Sequence, residues 1–375
     1  LRVLIVSVVP PAAEGGAAAR CLLGLLRGLR AHGVQASVLC PGAEAERGRG
    51  VPADIDIEFV PLELEPGWRM RWRRLRMPHG ELTREPFATH LRSRAREADV
   101  VHFLEIEPAS AIGLVDRPAL VQLHCLANLD PRVWNPLRTE GRTSIELLMA
   151  ERRVRRRARW LLVNSADVAG HLRSAAPNSE VVLAPLSLDS GSYTPSATLD
   201  SSAAGLIGSA AWPPTANAVE RLLREVWPLV LQRSPDARLV LAGFGMEQVR
   251  FSHLPQLRGV EWRGAVDSAS DFLRELGLLL YPLTAGSGAK VKVLEALAIG
   301  LPVVTTARGA EGIVGDGGIT VAGDDDALVK AAVRLIGSPH ERRAAGSAAL
   351  RSFEEHHTPG PAAVPVVNLY EQMLA

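Results

Sequence analysis

Lysine is almost missing from this 375-residue chain: 42 side chains are Lys or Arg, and only Lys290, Lys292 and Lys330 are lysines. Against that bias, two lysines two residues apart say more than any cluster of arginines. Cysteine is as scarce. Cys21, Cys40 and Cys125 are odd in number and lack metal-ligand spacing, so no structural disulfide is expected and a reducing cytosol suits the chain. No apolar run approaches the roughly 20 residues of a membrane span. The first strand, from Arg2, is too short for one and lacks a signal peptide's cleavage region. The expectation is a soluble, cytoplasmic protein, with peripheral attachment to the inner membrane face left open. Excess charge of one sign is lacking too, and a net charge of +1 gives no electrostatic case for a nucleic-acid partner. Solenoid-period repeats and low-complexity tracts are absent.

What is present is the composition of a globular protein, 47% apolar and 22% charged, in a length that accommodates two domains. Apolar runs alternate with helical stretches along both halves, the pattern of α/β folds. Gly277 to Thr305 is the most informative stretch. An apolar run ends at Tyr281-Pro282, and Gly286-Ser287-Gly288 permits a tight turn and close approach to a ligand. A helix is predicted from about Ala289 to Ile299, stopped by Gly300 and Pro302. The unpaired N–H groups and positive dipole end of such a helix suit a phosphate. With 3.6 residues per turn, Val291, Leu294 and Ala298 share one side, and Gly288, Lys292 and Glu295 line up on another. Lys292 could then neutralise a diphosphate and Glu295 accept ribose hydroxyls. The plainer alternative is a surface ion pair worth ~0.3 kcal/mol.

The run Gly286-Ser-Gly-Ala-Lys-Val-Lys-Val-Leu-Glu-Ala-Leu-Ala-Ile-Gly-Leu-Pro-Val-Val-Thr-Thr306, followed by Gly309-Ala-Glu-Gly-Ile313, closely resembles the donor-binding segment of retaining GT-B glycosyltransferases of the family 4 type. It is most similar to the subgroup with Gly-x-Lys-x-Lys-x-Leu-Glu-Ala. The resemblance implies an α/β, GT-B architecture, two Rossmann-like domains facing each other across a cleft. Residues 1–184 would form the acceptor-side domain, 185–203 a linker, 204–357 the nucleotide-sugar domain, and 358–375 a terminal segment crossing back to the first. It also implies transfer of a sugar from a nucleotide sugar to an acceptor hydroxyl with retention of configuration, in cell-surface saccharide or secondary-metabolite glycosylation. The acceptor would be a saccharide, a lipid-linked species or a small molecule; no metal or other cofactor is expected.

Carried over by the resemblance, the donor-binding residues are Gly208, Gly286, Ser287, Gly288, Lys290, Lys292, Glu295, Glu311 and Gly312. Glu311 could accept hydroxyls of the sugar. Ser287 stands where the wider family has the first glutamate of Glu-x7-Glu, as a small residue does in the subgroup, and Glu295 is the second. Many relatives hold the donor phosphates with Arg and Lys near residues 205–220, where this chain has neither, so Lys290 and Lys292 are expected to carry more of that charge. Gly15-Gly16, before a helix predicted over Ala17–Ala31, resembles the loop that approaches diphosphate and acceptor. His124 ends a strand from Pro118, at the edge where open α/β sheets place ligands, and resembles a histidine kept near the transferred sugar. His124, Lys292 and Glu295 are the candidate catalytic set. His102, in Asp99-Val-Val-His, is expected to be structural or supporting.

Other segments have competing readings. Trp68, Trp72 and Leu75 share a helical face beside Arg69, Arg73 and Arg76. That segment suits anionic lipid or an acidic acceptor, or else is a solvated helix docking two tryptophans. The arginines from Arg152 to Arg159 read as a solvated helix end, Asp324–Asp326 as a helix cap rather than a metal site, and His356-His357 as a loop. Two rival functions share the fold: a sugar-nucleotide 2-epimerase, and a catalytically silent nucleotide-sugar-binding module.

Overall fold

Strands that are apolar throughout, such as Val3–Val6 and Leu278–Tyr281, need cover on both faces, and parallel sheets flanked by helices provide it. The computed structural model describes residues 1–43, 50–62, 77–130, 139–196, 199–247 and 251–375. It divides into two units, Leu1–Asp189 with Pro359–Ala375, and Ser190–Thr358. The segment carrying Trp68, Trp72, Arg69, Arg73 and Arg76 lies outside the described residues.

The first unit contains β1 (Arg2–Val6), α1 (Ala17–Ala31), β2 (Gln35–Pro41), β3 (Asp56–Val60), α2 (Phe87–Glu97), β4 (Val100–Leu104), β5 (Ala119–Leu123), α3 (Thr139–Arg157), β6 (Trp160–Val163), α4 (Ala166–Ala175) and β7 (Glu180–Leu183). Its parallel sheet has the order β3-β2-β1-β4-β5-β6-β7. The order reverses between β1 and β4, so a ligand crevice is expected beyond their carboxyl ends. One face is covered by a cluster that includes Phe87, Leu91, Val154 and Leu172, the other by Leu22, Leu26 and Leu29 with Val366 and Leu369. Ser165 caps α4, accepting the Val168 N–H at 3.2 Å.

The second unit contains β8 (Ala204–Ile207), α5 (Pro213–Arg221), α6 (Trp227–Arg233), β9 (Leu239–Ala242), β10 (Val260–Gly264), α7 (Ala269–Arg274), β11 (Leu278–Tyr281), α8 (Val291–Ala298), β12 (Val303–Thr305), β13 (Ile319–Val321), α9 (Asp325–Gly337) and α10 (Pro339–His356). The parallel order is β10-β9-β8-β11-β12-β13, with its switch point between β8 and β11. Asp324 caps α9 through the Ala327 N–H at 2.8 Å. The terminal helix α11 (Pro359–Leu374) belongs to the first unit and packs on α1.

Helix α5 starts at the Pro213-Pro214 pair, which suits a first turn, and runs on through a π-turn at Leu222–Val226 into α6. Several expectations are corrected. His356 and His357 are not loop residues: His356 ends α10, and His357 is its C-cap, buried, with Nε2 3.0 Å from the Val314 N–H. Within the stretch read as linker, Ser190–Ser192 forms a 3-10 turn and Tyr193 is buried. No described helix is long and apolar enough to cross a membrane.

Candidate functional site

In the second unit the sequence-derived residues collect at the carboxyl edge of β8 and β11, on both sides of the switch point. Gly208 follows β8 directly. A Cβ added to it would stand 2.3 Å from Lys292 Nζ, so the missing side chain is what makes room for the ammonium. Lys292 lies in the first turn of α8, half-buried, 3.1 Å from Thr215 Oγ1 and 4.6 Å from the centre of the Tyr281 ring, with Trp212 at 5.8 Å. Its pKa is lowered to about 7, chiefly by desolvation, with Glu295 acting to raise it and Lys290 to lower it further. An incoming diphosphate would replace the lost hydration and restore the charge. Thr215, Trp212 and Tyr281 were not foreseen as its neighbours.

The glycine turn is built differently from its reading in sequence. Gly286 and Gly288 both have positive φ, 103° and 75°, which favours glycine at each. The helix begins at Val291 rather than near Ala289, because Lys290 is an extended N-cap (φ −96°, ψ 97°). The N–H groups from Ser287 to Lys290 are therefore not its first turn, and that of Gly288 donates to Glu311 Oε1 at 2.9 Å. Lys290 also departs from expectation: it is 4% exposed, donates to the carbonyls of Gly286 and Gly288, and lies 3.6 Å from Glu311 Oε2. Glu311 additionally pairs with Arg308 at 3.1 Å. Lys290 and Glu311 thus brace the turn from inside, with Gly312 at φ 76° completing the bend after Glu311. Ser287 is buried within the turn.

Helix α8 is half-buried at Val291 and Lys292 and closed further in, where Val293 to Ala298 are all buried. Glu295, 3% exposed, accepts a hydrogen bond from the Tyr193 hydroxyl at 3.1 Å. Tyr193 comes from the stretch read as linker, where nothing in local sequence marked it.

In the first unit, Gly15 and Gly16 are exposed at the N-terminus of α1, past the carboxyl end of β1, and Gly15 has φ 119°. His124 follows β5. Its Nδ1 is 2.5 Å from Glu105 Oε1, its backbone N–H donates to the same oxygen at 3.2 Å, and its Nε2 is 3.0 Å from Gln122 Nε2. Glu105 was missed in sequence, though it follows β4 as His124 follows its neighbour β5. Its φ of 73° with ψ 178° is a conformation open almost only to glycine, costing about 1–3 kcal/mol. Glu105→Gly should therefore be more stable than Glu105→Ala by about 1–3 kcal/mol, reversing the usual order of these residues. Chemical denaturation of the two variants reads the difference, and an alanine variant as stable as the glycine one would refute the strain.

A separate cavity of about 490 Å³ lies at the amino edge of the first sheet, lined by Arg2, Arg27, Arg30, Gln35 and Arg94. Asp54 already pairs with both Arg27 and Arg30, so that cavity offers an anion little uncompensated charge. Among the described residues no group of three or more His, Cys, Asp or Glu is placed to hold a metal.

Residues 16–186 match the family model described as glycosyl transferase 4-like domain, and residues 201–338 the model described as glycosyl transferases group 1. No curated protein matches significantly. Similar solved structures include HepE of Anabaena in complex with UDP-glucose, at 18% identity and TM-score 0.63, covering 99% of this chain and 98% of that one. Sucrose-phosphate synthase from Thermosynechococcus elongatus aligns at 17% identity and TM-score 0.69, over 99% and 98%. A variant of TarM from S. aureus, in a complex that includes UDP, aligns at 8% identity and TM-score 0.71, over 98% and 99%. At such identities the likeness is one of fold, that of GT-B proteins.

Proposed function

We propose that the chain, whose two halves match glycosyltransferase family models, is a GT-B glycosyltransferase that moves a sugar from a nucleotide sugar to an acceptor hydroxyl with retention of configuration and without a metal ion. The carrying observation is the Lys292 ammonium beside Gly208 at the β8/β11 switch point, where a diphosphate would meet a cation that has lost much of its hydration. The leaving group is a nucleoside diphosphate, whose negative charge grows as the glycosidic bond breaks. A cation fixed at that position stabilises the transition state more than the ground state. Glu295, held by Tyr193, serves the ribose; the turn Gly286–Gly288, braced by Lys290 and Glu311, shapes the phosphate approach; and Gly312 lies in the loop toward the sugar. On the first unit, the loop at Gly15 and Gly16 and the His124 region serve the acceptor and the transferred sugar. The acceptor belongs to cell-surface saccharide or secondary-metabolite chemistry, and the protein works in the cytoplasm.

The test is donor binding with the pH dependence that Lys292 dictates. A uridine donor is first to try, since the HepE and TarM structures are described with UDP-glucose and UDP. Saturation at 100 times Kd should stabilise by ~2.7 kcal/mol, read as a melting shift that persists in EDTA. UDP-glucose is the better probe for pH because its phosphates do not titrate near neutrality. In the free protein Lys292 loses its proton above about pH 7. If the bound diphosphate keeps it protonated, binding takes up a proton and affinity falls by up to about tenfold per pH unit above that point. Calorimetry in buffers of different ionisation enthalpy counts that proton. Affinity that is flat from pH 6.5 to 9 would remove Lys292 from the donor site.

A further inference from the structure

The polar contacts of His124 continue inward, and the chemistry of each group sets their direction. An ionised Glu105 can only accept, so the nitrogen 2.5 Å from it, His124 Nδ1, carries the proton. In a neutral ring Nε2 is then an acceptor, and the Gln122 amide nitrogen at 3.0 Å donates to it. That orientation turns Gln122 Oε1 the other way, where it is buried without a well-formed hydrogen bond, as is His102 Nε2. These two groups are close in the fold. The register of β4 and β5 pairs Leu104 with Gln122 and His102 with Leu120, which sets His102 and Gln122 on the same sheet face as diagonal neighbours. Left alone, each buried polar atom would cost about 1–3 kcal/mol. A proton on His102 Nε2, given to Gln122 Oε1, satisfies both. His102 Nδ1 is then a lone pair, and the Tyr370 hydroxyl, 2.7 Å away on α11, donates to it.

We infer that Tyr370, His102, Gln122, His124 and Glu105 form one directional hydrogen-bond relay, in which Gln122 and Tyr370 are positioning residues for His124. Every donor in this order meets an acceptor, whereas the reverse order fails at Glu105, which has no proton to give. Burial keeps His102 neutral, its pKa lowered to about 3, with the hydrogen bond to Gln122 opposing. The catalytic consequence rests on the transferase reading above. With both ring nitrogens committed to Glu105 and Gln122, His124 has no free lone pair with which to take the acceptor's proton.

The relay is tested on substrate-free protein labelled with 15N-histidine, by long-range proton–nitrogen correlation at pH 8, which distinguishes the two imidazole tautomers. The expected result is Nδ1–H for His124 and Nε2–H for His102. In Gln122→Leu the link between the rings is cut: His102 Nε2 loses its acceptor, and His102 should shift to Nδ1–H, donated to the Tyr370 hydroxyl, while His124 keeps Nδ1–H on Glu105. Nε2–H at His124 in the wild type, or a His102 indifferent to Gln122→Leu, would overturn the inference. The wild-type spectrum decides even if a variant fails to fold. No nucleotide enters the experiment, so a failure of the donor-site reading leaves its result unchanged.

Discussion

Lys292→Met is expected to lower the rate of sugar transfer by about 10²–10³-fold, the usual loss when one preorganised group facing developing charge is removed. Methionine keeps the unbranched stem against Tyr281 and Trp212 and deletes only the ammonium. The loss should be severe because the positions where many relatives supply further cations, 205–220, hold none, and Lys290 is turned inward on the Gly286 and Gly288 carbonyls. Lys330→Met, which removes an exposed lysine of α9 paired with Asp326, should leave transfer unchanged. Stability should move the other way from activity. Lys292 has a folded pKa below its unfolded value of 10.5, so below about pH 7 both states hold the proton and the folded state carries the full desolvation penalty. Between pH 7 and 10.5 the folded state gives up the proton first, and the penalty is relieved as pH rises. The stability of the wild type should therefore climb relative to Lys292→Met across that window. Equal transfer rates, or parallel stability profiles, would remove the ammonium from the mechanism.

How much of this was legible in sequence depends on the range of the interactions. The strands could be read because each is an apolar run bounded by turn residues, and the ends of β5 and β11 placed His124 and the glycine turn at the edge where ligands bind. The partners of those residues were hidden. Tyr193 meets Glu295 across 102 residues and Thr215 meets Lys292 across 77, contacts fixed only by sheet order and helix docking. Lys290 shows a different effect. Its charge and spacing beside Lys292 matched a phosphate ligand, but an N-cap residue leaves the helical period, and its extended backbone sends the ammonium into the turn. The two-sided periodicity of α8 did not show how deep its second face lies: α10 packs against the helix, and the Ser196 N–H bonds the Ile299 carbonyl at 2.9 Å. Helix α10 and strand β13 had no reading of their own, since β13 is only three residues long.

The same reasoning gives a prediction in which a favourable local change acts against the fold. Gly24 and Gly28 lie one turn apart on α1, and in an exposed helix Gly→Ala gains about 1 kcal/mol. Here Gly28→Ala should destabilise. A Cβ at Gly28 would meet the Pro359 carbonyl oxygen at 2.3 Å and the Ala363 Cβ at 2.7 Å, and a backbone carbonyl cannot turn aside as a flexible side chain can. Relief requires α11 to move off α1, which would draw Val366, Leu369 and the fully buried Tyr370 from their packing. Overpacking of this kind costs roughly 1–3 kcal/mol, and more for the larger Gly28→Val. Melting of the first unit should fall by about 2–4 °C per kcal/mol, while the second unit, which holds the proposed donor residues, keeps its affinity for UDP-glucose. Differential scanning calorimetry with and without UDP-glucose separates the two effects. A Gly28→Ala protein that melts at or above the wild-type temperature would mean that α1 and α11 do not approach through this glycine.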